Sequence, residues 1–283
     1  MIAIIKSGLY STIQDLGRFG YENYGVPISG SMDQLSSVLS NKLLGNNDND
    51  AVMEITMTGP VLKFLDETKI CITGADISPS INDNSIDINR VYQMNKGDVL
   101  KFGKLKYGLR SYISVSGGFL AGKIMNSRSM HSSITKSNKI INGENLKIKK
   151  LKNIKTKRTI IKVNYLEHFK NNTIEVFKGP EFNKLTIKQK QVLLNKTFTI
   201  SNNNNRMAYQ LNESFDNQLD SIITSLVMQG TVQLTPSGKV IILMRDCQTC
   251  GGYPRILQLS KKSINKLSQK HVGNSIRFKL IDL

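Results

Sequence analysis

The chain is 283 residues long, with 39 Lys and Arg against 21 Asp and Glu and a formal net charge of +18. Hydrophobic residues make up 39% and charged residues 21%, a balance that suits a globular protein and excludes a disordered or fibrous one. At roughly 100–200 residues per domain the length predicts two domains, each with its own core, and no apolar run approaches the ~18 residues of a membrane-spanning helix.

In chain order, the opening MIAIIK is too short for a secretory leader and lacks the basic flank, so the sequence predicts a cytoplasmic protein with no membrane contact. Short β-type runs then recur between Gly, Asn, Asp and Pro: 2–5, 70–73, 99–102, 111–115, 174–177, 197–200, 231–234, 240–244 and 275–280. Runs at turn-marked intervals predict sheets folded as barrels or sandwiches. Helical patterns are few. Residues 32–44 carry Met32, Leu35, Val38, Leu39, Leu43 and Leu44 on one broad face, and Gly45 follows as a C′ residue. Residues 186–194 form a second candidate, and 260–267 a third with Ser260 as its cap. So few helices exclude an alternating βαβ fold.

Residues 126–161 read as a seam rich in Ser, Asn and Lys, between an N-terminal half at 1–125 and a C-terminal half at 162–283 that has room to exchange strands with the first. The densest basic stretch, 147–162, contains no acid and no aromatic residue for base stacking. It reads as a solvated linker in preference to a nucleic-acid site. Asn202-Asn203-Asn204-Asn205 reads as a loop, because asparagine tolerates left-handed geometry.

Three cysteines, Cys71, Cys247 and Cys250, are too few for a disulfide framework and fit a reducing compartment. Cys247 and Cys250 have redox spacing, yet two glycines and Tyr253-Pro254 follow where a helix N-terminus is needed, so structural roles are expected for all three. His131, His168 and His271 are scattered, and no metal site is expected.

Three clusters are denser in glycine and polar side chains than a core requires. The first holds Gln14, Asp15 and Arg18, then Gly25 to Asp33; its side chains suit a carboxylate or amide, with an Asp15–Arg18 turn staple as the equal alternative. The second is Thr73-Gly74-Ala75-Asp76, read as a turn whose aspartate is a binding residue or an Asx turn. The third runs from Arg245 to Arg255 through Gln248, Gly251, Gly252 and Tyr253. Paired glycines let backbone N–H groups approach an anion and the arginines add positive charge, against the alternative of a glycine bulge. The sequence has no G-x-x-x-x-G-K-[ST] phosphate loop, no dinucleotide fingerprint, no G-x-S-x-G elbow and no H-E-x-x-H.

Several motifs together resemble the allophanate hydrolase subunit 2 family, also called KipA or PxpC (the C subunit of 5-oxoprolinase) and similar to the carboxyltransferase region of urea carboxylase. They are GLYSTIQDLGRFG at 8–20, GVPISGSMD at 25–33, EITMTGP at 54–60, TGAD at 73–76, SYISVSGG at 111–118, Ser127-Arg128-Ser129, Gly179-Pro180, Arg206-Met207 and QTCGGYPR at 248–255. The resemblance implies a mainly β protein of two cyclophilin-like β-barrel domains with a few helices. It also implies work beside a B subunit and an A subunit in an ATP-dependent 5-oxoprolinase, opening 5-oxo-L-proline to L-glutamate. On this reading Gln14, Asp15, Arg18 and Asp33 orient substrate, while Asp76, Arg206, Tyr209, Gln248, Gly251, Gly252, Tyr253 and Arg255 line a polar pocket. Within that set Asp15, Asp76, Arg206, Tyr209, Gln248, Tyr253 and Arg255 carry the catalytic roles. Two alternatives stand: a carboxyltransferase acting on urea or a related amide, with biotin supplied by a separate carrier, and a non-catalytic regulator of a sensor kinase acting through its B partner. The sequence departs from the family pattern Ser-Asp-Arg-Met-Gly-Tyr-Arg, reading Asn204-Asn205-Arg206-Met207-Ala208-Tyr209-Gln210, and Met130-His131-Ser132-Ser133 replaces an expected glycine-rich stretch.

Overall fold

The computed structural model describes residues 1–149 and 165–282, with nothing said of the Tyr165 side chain. Most of the basic stretch at 147–162, and the seam from 150 onward, therefore lie outside the described residues. Residues 1–18 and 29–149 fall in one compact unit, and 19–28 with 165–282 in a second. Both units are built mainly of strands, and the described residues include four α-helices.

In the first unit alternation along short strands puts one face of each of two sheets into a common core. One sheet runs Asn145–Leu146, Ile2–Lys6, Val61–Phe64, Val99–Phe102, Pro79–Ile81 and Asn84–Ser85; the other runs Tyr10–Gln14, Val52–Thr56, Tyr107–Val115, Thr68–Asp76 and Val91–Met94. Ile2, Ile4, Leu62, Phe64 and Leu100 from the first sheet meet Ile13, Met53, Ile55, Ile72, Ile113 and Val115 from the second in that core. Ile55 is the registration point of the second sheet, opposite both Ser11 and Ser111.

The expected helix at 32–44 forms as Gln34–Leu44 on the second sheet, fixed by Thr73 Oγ1 donating to the Ser36 carbonyl at 2.7 Å. Asp33 caps it, accepting from the Ser36 backbone, and Gly45 ends it at φ 75°. Thr73 to Asp76 is not a turn: it finishes the strand Thr68–Asp76. Gly74 keeps the strand continuous at φ +88°, where a Cβ would lie 2.4 Å from the Arg110 carbonyl oxygen.

The second unit is a closed barrel ordered Thr173–Lys178, Arg255–Leu259, Thr231–Leu234, Lys239–Leu243, Ala208–Ser214, Phe198–Asn204 and Ser275–Leu280. Six neighbouring pairs are antiparallel; the closing pair, Thr173 opposite Arg277 through Val176 opposite Leu280, is parallel. Ile174, Val176, Phe198, Ile200, Tyr209, Leu211, Val232, Val240, Ile242, Ile276 and Phe278 are all buried, and the Phe198 and Phe278 rings pack 5.5 Å apart. Asn202 to Asn204, expected as loop, continue the strand Phe198–Asn204. A shift of register between Ile200 and Asn204 absorbs them, with Ser201 Oγ accepting from the Asn203 backbone at 3.1 Å.

The other two expected helices also form. Ile187–Asn195 starts on a capping box between Thr186 and Gln189, and Lys261–Leu267 starts on Ser260. A fourth, Tyr165–Lys170, had no periodic signal strong enough to mark it. Among the described residues no helix is long and apolar enough to cross a membrane.

Candidate functional site

The Gln14–Arg18 turn is built around the buried Asp15 carboxylate. Its Oδ1 accepts from the Gly17 backbone at 2.9 Å, Ser127 Oγ at 2.7 Å and Ser129 Oγ at 2.6 Å, and its Oδ2 from the Arg128 backbone at 2.6 Å. Arg18, fully buried, donates from Nη2 to the Ser129 carbonyl at 2.5 Å. Gln14 donates to the Met130 carbonyl at 3.1 Å. All three side chains thus clamp one distant segment, 127–130, and set the direction in which Arg128 leaves it. With four protein donors on it, this carboxylate is occupied in tying the turn to the 127–130 segment.

Asp33, expected to orient substrate, spends its carboxylate on the helix. Its Oδ1 accepts from the Ser36 backbone at 3.2 Å and its Oδ2 from Ser36 Oγ at 2.5 Å. Its backbone N–H donates to Tyr112 Oη at 2.8 Å, and that hydroxyl donates to Glu54 Oε2 at 2.9 Å. Burial, then the Glu54 and Asp33 charges, push the Tyr112 phenol well above its usual range, so it acts as a neutral hydrogen-bonding group. Glu54 also accepts from the Met32 backbone at 2.7 Å and lies 3.9 Å from Arg110 Nε. Asp76 pairs with Lys106 at 3.2 Å and accepts from the Ser78 backbone at 2.8 Å, the Asx-turn alternative.

The third cluster and the Arg206 segment belong to the second unit. Arg206 is bidentate on Asp246, at 2.7 and 3.1 Å. Arg255 grips Glu181 through Nε at 3.0 Å and Nη2 at 2.9 Å, and donates from Nη1 to the Leu226 carbonyl at 2.9 Å. That guanidinium holds Glu181 below its ordinary carboxyl range. Of the two arginines expected to supply positive charge, Arg255 is thus paired with a carboxylate, while Arg245 is buried and donates to the neutral Gln229 Oε1 at 2.5 Å and Asn265 Oδ1 at 2.8 Å.

Gly251 lies in a two-stranded ribbon opposite Ser225, where a Cβ would come 2.7 Å from Gln233 Nε2. Gly252 accepts from the Ile222 backbone at 2.9 Å. Gln248 keeps a buried Oε1 with no hydrogen-bond partner among the described residues. Tyr209 faces the buried side of the barrel, 3.5 Å from the Lys270 carbonyl oxygen, and Tyr253 is exposed. Burial pushes the Cys71 and Cys247 thiols to about 12, which leaves both unreactive at neutral pH.

The sequence did not single out Arg128 as a side chain with a task. It borders two cavities of the first unit, one of about 380 Å3 and one of about 170 Å3. The only signal in the sequence was the Ser127-Arg128-Ser129 motif; the Asp15 contact that gives it meaning spans more than a hundred residues.

These two β units define the class. The chain belongs to the carboxyltransferase domain family, subdomain A and B, whose model matches residues 24–280. It is 29% identical to the 5-oxoprolinase C subunit of Haemophilus influenzae over 289 residues, covering 100% of this chain and 92% of that protein. It is 41% identical over 127 residues to the urea amidolyase of Lachancea kluyveri, covering 44% of this chain and 7% of that one. The crystal structure of Kluyveromyces lactis urea carboxylase has the same fold, with a TM-score of 0.91 at 24% identity over 99% of this chain and 27% of that one.

Proposed function

We infer that this chain is the C component of an ATP-dependent 5-oxoprolinase, acting with A and B subunits to open 5-oxo-L-proline to L-glutamate. The observation that carries the reading is the end-to-end correspondence with a 5-oxoprolinase C subunit. A lactam carbonyl is a weak electrophile because nitrogen donates into it, so opening the ring at neutral pH needs both activation and an ordered substrate.

The residues present do not fit a nucleotide phosphate at the Arg245–Arg255 cluster, because Arg255 and the nearby Arg206 are already bound to carboxylates and Arg245 is buried against Gln229 and Asn265. The reading therefore leaves ATP to the companion subunits, and gives this chain the holding and orienting of the organic substrate through the segment fixed by Asp15 and Arg18. Glutamate release from 5-oxo-L-proline and ATP by the assembled three-component enzyme tests it; absence of turnover in a verified complex refutes it.

The match to urea amidolyase favours a second reading, transfer of a carboxyl group to an amide with biotin carried by another protein. Incorporation of labelled bicarbonate into urea, in the presence of a biotin carrier and its carboxylase, separates the two. A regulator without chemistry of its own predicts that B binds the chain while neither assay responds to it.

A further inference from the structure

We propose that the 380 Å3 cleft beside Arg128 is a binding site for a small carboxylate, with the Arg128 guanidinium as its anion-holding group. The identity of that acid as 5-oxo-L-proline rests on the function inferred above; the site itself rests on the following geometry.

The cleft has an apolar floor and a cationic rim. Ile13, Phe119 and Met130 belong to the buried core and line it, while Arg128, Lys136 and Lys147 bring three positive charges against one acid, Glu144. Glu144 is itself engaged, its Oε2 accepting from the Ile141 backbone at 3.3 Å. A volume of a few hundred Å3 with an apolar base and few polar groups is the usual form of a small-ligand site. A low-dielectric floor also strengthens an ion pair formed above it.

Arg128 is the residue prepared for that pair. Its backbone is pinned by the Asp15 carboxylate at 2.6 Å, with Ser127 and Ser129 tied to the same carboxylate on either side. Its Nη1 donates to the Ala121 carbonyl, which lies on the wall of the same cleft. Nε and Nη2 make no hydrogen bond among the described residues, unlike the guanidinium groups of Arg206 and Arg255. A planar fork with donors to spare suits a carboxylate.

The walls are pre-formed. Leu120 N–H donates to the Lys147 carbonyl at 2.8 Å and Met130 N–H to the Ile13 carbonyl at 2.9 Å, so little ordering remains for a ligand to drive. The neighbouring 170 Å3 cavity, which Arg128 also borders, is lined by Asp15 and Asp50 with Lys123, Asn47 and Asn49. Its two acids offset its cations, whereas the larger cleft carries a cationic surplus, which places the carboxylate on the Lys136 and Lys147 side.

The test compares 5-oxo-L-proline with 2-pyrrolidone, the same ring without the carboxylate, by titration calorimetry on the full chain and on the assembled complex. Binding of the acid, at least tenfold weaker binding of the lactam, and at least tenfold loss in Arg128→Met support the site. Binding of neither compound to chain or complex, or equal affinity in Arg128→Met, overturns it. Leu120→Trp, which fills the cleft and leaves Arg128 in place, is expected to weaken binding to a similar degree. It decides the matter if Arg128→Met fails to fold, unaltered affinity counting against the site. In the working complex both variants raise KM at least tenfold with kcat within about twofold. Turnover in the parent enzyme with KM unchanged in both variants sinks the site and spares the function. Absence of turnover alongside Arg128-dependent binding of the acid does the reverse.

Discussion

At the scale of single residues, most charged groups in the candidate clusters are partnered by groups far away in sequence. Glu181 and Arg255 are an example: the Glu181 carboxylate accepts three hydrogen bonds from Arg255, one from its backbone and two from its guanidinium, and both side chains are mostly removed from water. Removing the carboxylate leaves the guanidinium buried without its counter-charge, so Glu181→Gln is expected to cost about 2–3 kcal/mol at pH 7. Because Arg255 lowers the Glu181 pKa in the folded protein, the stabilisation is complete above the ordinary value of 4.5 and fades as pH falls through the lower folded value. Denaturant unfolding of parent and variant between pH 7 and pH 3 checks both the size and this convergence; a gap that stays constant with pH contradicts it.

Asp33 offers a sharper separation of structure from chemistry. Serine retains an oxygen for the Ser36 backbone and keeps the helix start, whereas alanine removes it at a cost of about 1–2 kcal/mol. If the aspartate only caps the helix, Asp33→Ser leaves both melting temperature and turnover near the parent values. A loss of turnover at intact stability restores it to the substrate-orienting role.

At the scale of elements, the end of the helix Tyr165–Lys170 is held by a buried amine. Lys270 Nζ donates to the Phe169 carbonyl and to Asn172 Oδ1, both at 2.7 Å, and Lys266 Nζ donates to the Thr173 carbonyl at 2.8 Å. Lys270 thereby satisfies a carbonyl that the helix end leaves open, and Lys266 holds the start of the strand that follows. Burial, with Lys266 nearby, lowers the Lys270 pKa from 10.5 to about 8. The unfolded chain therefore binds more protons than the folded one between pH 8 and 10.5, and stability rises with pH across that window. Lys270→Gln removes this rise, which unfolding curves at pH 7.5, 9 and 10 resolve. The Thr186 capping box makes a simpler claim: Thr186→Ala lowers stability by about 1 kcal/mol with the barrel unchanged by circular dichroism.

The same scale shows what was legible beforehand. Helix starts and stops are written in a few adjacent residues, so Gly45, Thr186 and Ser260 marked them correctly. Glycine and asparagine misled inside strands, because Gly74 and Asn202 to Asn204 are there for a close backbone approach and a change of register, neither of them a local property. The site was less readable still. Conspicuous Asp15, Arg206 and Arg255 proved to be holders of other protein groups, and the available guanidinium belongs to Arg128, whose setting depends on a turn far earlier in the chain.

For the whole molecule, the last described strand completes a ring that begins with Thr173–Lys178. Ending the chain at residue 274 exposes two strand edges and uncovers Phe198 and the barrel interior. Such a truncation is expected to be insoluble, and Phe278→Ala in the full chain to lose about 3–5 kcal/mol. Recovery of the truncated form as a soluble, cooperatively melting protein would contradict a closed barrel.

Residues 19–28 group with the second unit although the stretches on either side of them belong to the first. On the ribosome this decapeptide emerges early and must then wait, its final neighbours still untranslated, while the fold around it matures. Synthesis is thus stitched together backwards: a piece made near the outset joins a unit whose other residues all follow position 164. Splitting the gene between the halves would strand that piece on the wrong fragment.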